Sequence, residues 1–270
     1  MDLESLSTIL RREETWPAYA VSADEIVGEL PPEPTCPICK DTGLLRRDLP
    51  RMHPEFGKPV ECGCGLFAER RRNRLFRSAN LPDGYDRPLS AYRPTPGMRT
   101  AIEACRAWAD GTATYPWLML EGPFRTGKTG LAIGALRQRI ERTNEPGLFI
   151  TASGLLDRIR ATFGPGAEAG AEAEVLELAK TIPLLVLDDL GAEHDTSWAI
   201  DRLTRLIDDR KNYSRGNLIV TTNYEPTNKP GQLAERVGER LVHRLIEISV
   251  VVHVDGPNLT LAQRPDLVGE

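Results

Sequence analysis

Gly122-Pro123-Phe124-Arg125-Thr126-Gly127-Lys128-Thr129 decides the fold of this chain. It fits G-x4-G-K-[ST] and stands between an apolar run at 117–120 and a helical pattern at about 128–142. That strand-to-helix context is what the motif requires. Backbone N–H groups of such a loop wrap a polyphosphate, and the helix N-terminus adds partial positive charge. Lys128 reaches the β- and γ-phosphates, and the Thr129 hydroxyl ligates Mg²⁺. All eight residues are therefore expected to bind a nucleoside triphosphate.

Two further strand ends extend the constellation. Leu184-Leu185-Val186-Leu187-Asp188-Asp189 is an apolar strand closing on two carboxylates. Beside a phosphate loop, Asp188 holds Mg²⁺ and Asp189 orients or deprotonates the attacking water. Ile219-Val220-Thr221-Thr222-Asn223 carries a polar tip, Asn223, suited to the γ-phosphate; a plain turn residue is the alternative. At 238–245 (GERLVHRL), Arg240 and Arg244 lie four apart on one helical face. An arginine unpaired in its own subunit reaches the γ-phosphate of a neighbour, whereas one paired with Glu235 or Glu239 stays a surface residue.

Around these motifs helix and strand alternate, the signature of an α/β fold with a parallel sheet flanked by helices. Strands are expected at 117–120, 147–151, 184–188, 217–222 and 249–254. Helices are expected at 98–109, 128–142, 154–162, 174–180, 198–210 and, as one stretch, 233–248. The low-complexity segment 164–174 (GPGAEAGAEAE) reads as a loop.

A chain of 270 residues, 40% hydrophobic and 27% charged, is that of a globular protein. Its apolar runs are strand-sized, far from the eighteen or so residues of a membrane helix. The start, MDLESLSTIL, lacks the basic and apolar regions of a secretion signal. A cytoplasmic protein with no membrane partner is expected. The net charge of −5 is unevenly spread. Residues 1–35 carry a net −6 and residues 36–80 a net +5, densest at Arg70, Arg71, Arg72, Arg74 and Arg77. This divides the chain into an acidic partner-binding arm (1–35), a small module with a basic helix (36–80) and an ATPase domain (81–270).

Five cysteines, four of them within 36–64, suit a metal site better than disulfides. Cys36, Cys39, Cys62 and Cys64 form two close pairs, enough for tetrahedral Zn²⁺. The C-x-C pair is tight, so His53 is kept as a substitute for Cys62 or Cys64. Cys105 falls in a helical pattern and reads as core or neutral surface.

Taken together, LEGPFRTGKTGLA, LLVLDDLGAE, IVTTNYEP and GERLVHRL resemble the DnaC/DnaI group of AAA+ ATPases, with the transposition helper IstB as a close relative. The likeness runs from about Ala79 to Val254. It implies an AAA+ P-loop fold, with Lys128 and Thr129 as the Walker A pair and Asp188 and Asp189 as the Walker B pair. Asn223 takes the place of sensor 1 and Arg244 that of the arginine finger. The module CPICKDTG followed by C-x-C is similar to the N-terminal zinc module of DnaI-like loaders. The chain departs from the group twice. Arg125 stands where the loop usually has glycine: a positive φ there would strain it, while its guanidinium could instead add a phosphate contact. After the last strand, no sensor 2 arginine appears until Arg264.

The resemblance implies an ATP-dependent loader of the replicative DNA helicase onto single-stranded DNA, with slow, DNA-stimulated hydrolysis and self-association through the ATP site. DNA would meet the basic segment 70–77 or the helices around 155–160. The alternatives are an IstB-like helper binding duplex DNA and a nucleotide-binding adaptor with little turnover.

Overall fold

The computed structural model describes residues 34–163, 171–192, 196–213 and 216–256. A small N-terminal module holds a two-stranded antiparallel ribbon, β1 (Leu44–Arg46) and β2 (Pro59–Glu61), followed by helix α1 (Leu66–Ser78). The rest alternates: α2 (Arg99–Asp110), β3 (Trp117–Glu121), α3 (Lys128–Thr143), β4 (Gly147–Thr151), α4 (Ala152–Ala161) and α5 (Ala171–Thr181) come first. β5 (Leu184–Leu190), α6 (Ser197–Tyr213), β6 (Asn217–Thr222), α7 (Leu233–Val237), α8 (Glu239–Ile248) and β7 (Ser249–His253) follow.

The five strands β3–β7 form one parallel sheet in the order β4-β5-β6-β3-β7. Its strands read as continuous apolar runs because both faces are covered. Successive residues take opposite sides: Trp117, Met119, Leu185, Leu187, Leu218 and Val220 pack toward α4–α8. Leu118, Leu120, Leu184, Val186 and Ile219 pack toward α1–α3. β3 sits between β6 and β7, so the loop leaving it opens at the C-terminal edge, where α/β sheets bind ligands.

The expected elements are present, with three differences. The stretch 233–248 is two helices, because Gly238 takes φ 83°, ψ 142° and breaks the ladder. Strand β5 runs on to Leu190 through a bulge. Of the segment read as a loop at 164–174, residues 171–174 are the first turn of α5, whose alanines and glutamates favour helix; 164–170 lie outside the described residues. So do residues 1–33 of the acidic arm and everything after 256.

Arg210 is the largest charged side chain in the interior, fully buried on α6. Its guanidinium donates to the carbonyls of Ala179, Lys180 and Ile182 at the end of α5 and to Asn217 O at the start of β6. Burial lowers its pKa to about 10. Four carbonyls lose their donor in Arg210→Ala, so we expect about 2–4 kcal/mol of destabilisation by urea unfolding. Loss under about 0.5 kcal/mol would show that the carbonyls find water instead.

Candidate functional site

The phosphate loop joins β3 to α3, with Gly127 in the left-handed region as the cap of α3. Lys128, only 6% exposed, donates from Nζ to the carbonyls of Gly122 (2.9 Å) and Pro123 (2.7 Å). Burial depresses its pKa, against the pull of Asp189, Asp188 and Glu121, so three carboxylates help keep the ammonium charged. Thr126 Oγ1 donates to Pro123 O at 3.0 Å and tightens the turn.

Arg125 has φ +64°, so the position where the group has glycine does demand the left-handed region. An L-residue pays about 1–2 kcal/mol there. Its side chain also lines the cavity, where a guanidinium could meet a phosphate. Arg125→Gly is expected to raise stability by about 0.5–1 kcal/mol, roughly 2–4 °C in Tm, after the entropy of the added glycine is charged against it. A fall in Tm would mean that the guanidinium contributes more than the strain costs.

The bulge in β5 is what makes the two aspartates a pair. In a regular strand, neighbours point to opposite faces. Here pairing with β6 shifts between Leu187 and Leu190, Asp189 takes φ +57°, and both Asp188 and Asp189 line one cavity. Thr221 staples the bulge: its Oγ1 accepts from Asp189 N–H (2.9 Å) and donates to Asp188 Oδ1 (2.6 Å). Bulges re-aim side chains in this way next to functional sites.

Asp188 also accepts from Thr129 Oγ1, at 2.9 Å to Oδ1. Burial raises its pKa; the two hydroxyls oppose the rise, Asp189 adds to it and Lys128 opposes it. Hydroxyl and carboxylate oxygens so placed could hold a hard divalent cation. Asn223 Nδ2 donates to Asp189 Oδ1 at 2.6 Å, so amide and carboxylate form one unit.

These groups line a cavity of about 400 Å³, large enough for a nucleotide. Its other wall was not foreseen: Tyr85, Arg87 and Tyr92, from the segment ahead of α2. Arg87 stacks 4.6 Å over the Tyr92 ring, and the Tyr92 hydroxyl approaches Gly130 so closely that a Cβ there would lie 2.5 Å from it. Two tyrosines and an arginine within the eight residues 85–92 are the available signal.

Arg244 lies outside that cavity. Its Nε is 3.1 Å from Asp208 Oδ1 and a guanidinium nitrogen 3.5 Å from Glu247 Oε2, while Arg240 bonds Asp208 Oδ2 at 2.7 Å. The partners are thus Asp208 and Glu247, not Glu235 or Glu239 as weighed from the sequence. Those two were judged by helical spacing, whereas Asp208 comes from α6 across a tertiary contact.

In the N-terminal module the sulfurs of Cys36, Cys39, Cys62 and Cys64 all lie within 4.8 Å of one another, and all are free thiols. Asp41 ties the first knuckle by accepting from the N–H groups of Thr35 and Cys36. Burial alone would raise the Cys39 thiol, but the Gly43 N–H and the neighbouring sulfurs outweigh it and bring it down to about 7. Such a cluster could hold a metal ion. His53 does not join it. That side chain is exposed, and Nδ1 accepts from Glu55 N–H within its own turn (3.1 Å), so the substitute-ligand expectation is corrected. Cys105 is buried in α2, as its pattern suggested.

No family model matches the chain. It is 30% identical over 200 residues to an ATP-binding protein of an insertion sequence in Mycobacterium tuberculosis, covering 74% of this chain and 75% of that protein. It is 23% identical over 149 residues to the replicative helicase loader DnaI of Bacillus subtilis, covering 52% of this chain and 46% of the loader. Among solved structures, the DnaC helicase loader superposes with a TM-score of 0.56 at 25% identity, over 64% of this chain and all of that one. A five-stranded parallel sheet, a phosphate loop and a paired-aspartate strand tip define an AAA+ P-loop ATPase unit that binds ATP. Within that class, the chain belongs to the DnaC/IstB-like group. Among the described residues no helix is long and apolar enough to cross a membrane.

Proposed function

We propose that this protein loads a replicative DNA helicase onto single-stranded DNA, using slow ATP hydrolysis that DNA accelerates. The observation that carries this reading is the four-cysteine cluster placed directly ahead of the ATPase unit, which the sequence resemblance likens to the N-terminal zinc module of DnaI-like loaders. In this reading residues 1–35 and 36–80 engage the helicase and residues 81–270 form the motor. Lys128 and the loop 122–129 hold the phosphates, and Thr129 with Asp188 hold Mg²⁺. Asp189, oriented by Asn223, positions water, and Arg244 reaches the ATP site of a second copy. Mg²⁺ would supply charge neutralisation between the phosphates.

Zn²⁺ fits the cysteines. Zn–S bonds of about 2.3 Å in a tetrahedron set sulfurs about 3.8 Å apart. Cys36 and Cys62 stand at 3.9 Å, and Cys39 and Cys64 at 3.6 Å. Purified protein is expected to carry one equivalent of zinc by atomic emission; freshly reduced protein with none would overturn the assignment.

Support for single-stranded DNA comes from an aromatic and arginine group at the α4–α6 junction. Phe163, 57% exposed, meets Trp198 edge-on at 6.3 Å, and Arg160 lies 5.0 Å from the Trp198 ring. Bases stack on such groups without sequence preference. The test is whether the protein co-elutes with the replicative helicase of its own host and deposits it on single-stranded circles in an ATP-dependent way. Failure to bind any helicase would overturn the reading.

A second reading is favoured by the insertion-sequence relative, which aligns over more of this chain than DnaI does. It is an ATP-dependent transposition helper acting on duplex DNA. Binding to a transposase instead of a helicase would select it.

A further inference from the structure

Helix α1 carries five arginines, and among the described residues they have no protein partner. Arg70, Arg71, Arg72, Arg74 and Arg77 are all exposed, and none enters an ion pair or side-chain hydrogen bond among the described residues. An ordinary solvated helix intersperses acids four residues from its bases. Here Glu69 is the only acid on α1, and it pairs with none of them. Arg70, Arg74 and Arg77 follow i, i+4, i+7 spacing and form one stripe, about 10 Å long at 1.5 Å per residue. Leu75, the buried apolar residue of the helix, lies on a different face.

The helix is held at both ends, so the stripe is preorganised. At its C-terminal end Leu75 and Ala79 enter the core of the ATPase unit. Ala79 O accepts from Phe149 N–H of β4 (2.8 Å), and Asn80 Nδ2 donates back to Phe149 O (2.9 Å). At the N-terminal end the first turn is fused to the cysteine cluster. Leu66 packs against Cys36, Cys39 and Cys62, and Cys64 lies two residues before the helix. Gly43, at φ +74°, is so close that a Cβ would sit 2.7 Å from Phe67 N. The cysteine knuckle thus presses directly on the turn that begins the arginine run.

We infer that the α1 stripe is a nucleic-acid backbone site: Arg70, Arg74 and Arg77, with Arg71 beside them, bind phosphodiester groups, and the metal-bound cysteine cluster fixes the helix that presents them. Three features favour phosphate over an acidic protein surface. Every cation on the helix is arginine, whose fork matches phosphate oxygens in pairs. The stripe holds no exposed aromatic or aliphatic residue, whereas protein interfaces bury an apolar centre. The spacing is rigid and linear, as a backbone track requires. Such contacts position without reading sequence. The site differs from the Phe163–Trp198 group, which would stack bases. It does not depend on helicase loading, since a duplex-binding helper would use the same chemistry.

The experiment is fluorescence anisotropy of the full chain with labelled oligothymidine and with a mixed-sequence duplex, across a salt series. Each phosphate contact contributes about −0.7 (single strand) or −0.9 (duplex) to the slope of log Kobs against log salt. The R70A/R74A/R77A variant is expected to shrink the slope by about 2 on single strands or about 3 on duplex. The two probes thus tell which form occupies the stripe. The corresponding triple lysine variant should keep most of the slope. Stripping the metal with a chelator should weaken binding, because the N-terminal half of α1 loses its anchor. ATP affinity, measured on the same proteins, should be unchanged and reports that the ATPase unit is folded. An unchanged slope in the alanine variant would overturn the inference. So would an unchanged slope with loss of binding to a polyglutamate probe, which would make the stripe an acidic-protein surface. Equal DNA affinity with and without metal would overturn the role given to the cysteine cluster.

Discussion

Asp189→Asn is expected to lower ATP turnover by about 10²–10⁴-fold while leaving ATP affinity unchanged, because the substitution removes a general base and little else. The bulge in β5 turns Asp189 into the cavity beside Asp188. One of its oxygens accepts from Asn223 at 2.6 Å, which fixes the carboxylate plane and leaves the other oxygen for water. The binding contacts are made by Lys128 and the loop amides, and Lys128 keeps two of the three carboxylates that hold it charged, Asp188 and Glu121. The loss should therefore appear in kcat and not in KM. Turnover close to wild type would make Asp189 a structural member of the bulge and would move the base elsewhere. Equal loss of ATP affinity would mean that the bulge itself had collapsed.

Arg244→Ala is the second large effect: about 10³-fold or more in turnover at protein concentrations where copies associate, and none at high dilution. The arginine is held by Asp208 and Glu247 in its own chain, yet those contacts are half exposed. Ion pairs of that kind contribute between nothing and about 1 kcal/mol. A γ-phosphate developing charge in a drier site offers more, so the cis pairing is no obstacle to action in trans. The measurement is turnover against protein concentration. The wild type should rise with concentration and the variant should stay flat. A variant that instead loses ATP affinity as a dilute monomer, or more than about 1 kcal/mol of stability, would place Arg244 in a same-subunit structural role.

The motor was legible from the sequence because its chemistry is local. A phosphate loop must sit between a strand and a helix, and those two flanks could be read from periodicity. The aspartate pair was legible as a pair, but not the bulge that lets both face one way. Alternation along a strand would have sent Asp189 to the opposite side, and nothing in LLVLDD announces a positive φ at Asp189. Thr221, the staple of that bulge, is hidden for the same reason: its role depends on the register between β5 and β6. Tyr85, Arg87 and Tyr92 reach the cavity from a segment of little regular structure, where periodicity gives no guidance. Of the partners of Arg244, Asp208 comes from another helix, beyond the reach of an i, i+4 rule, while Glu247 lies one turn on in α8 itself. His53 has the chemistry of a ligand, but the turn between β1 and β2 engages its Nδ1 with Glu55 N–H, which residue type alone does not show.

ATP hydrolysis at this site is expected to answer to single-stranded DNA. The most direct measurement is steady-state ATP turnover of the full chain alone, with single-stranded DNA and with duplex DNA, using Lys128→Ala as the blank. Slow turnover that single strands accelerate more than duplex is the expected result. Acceleration by duplex alone would contradict it and select the transposition helper. No turnover above the blank under any condition, with ATP still bound, would contradict it too and leave a nucleotide-held adaptor.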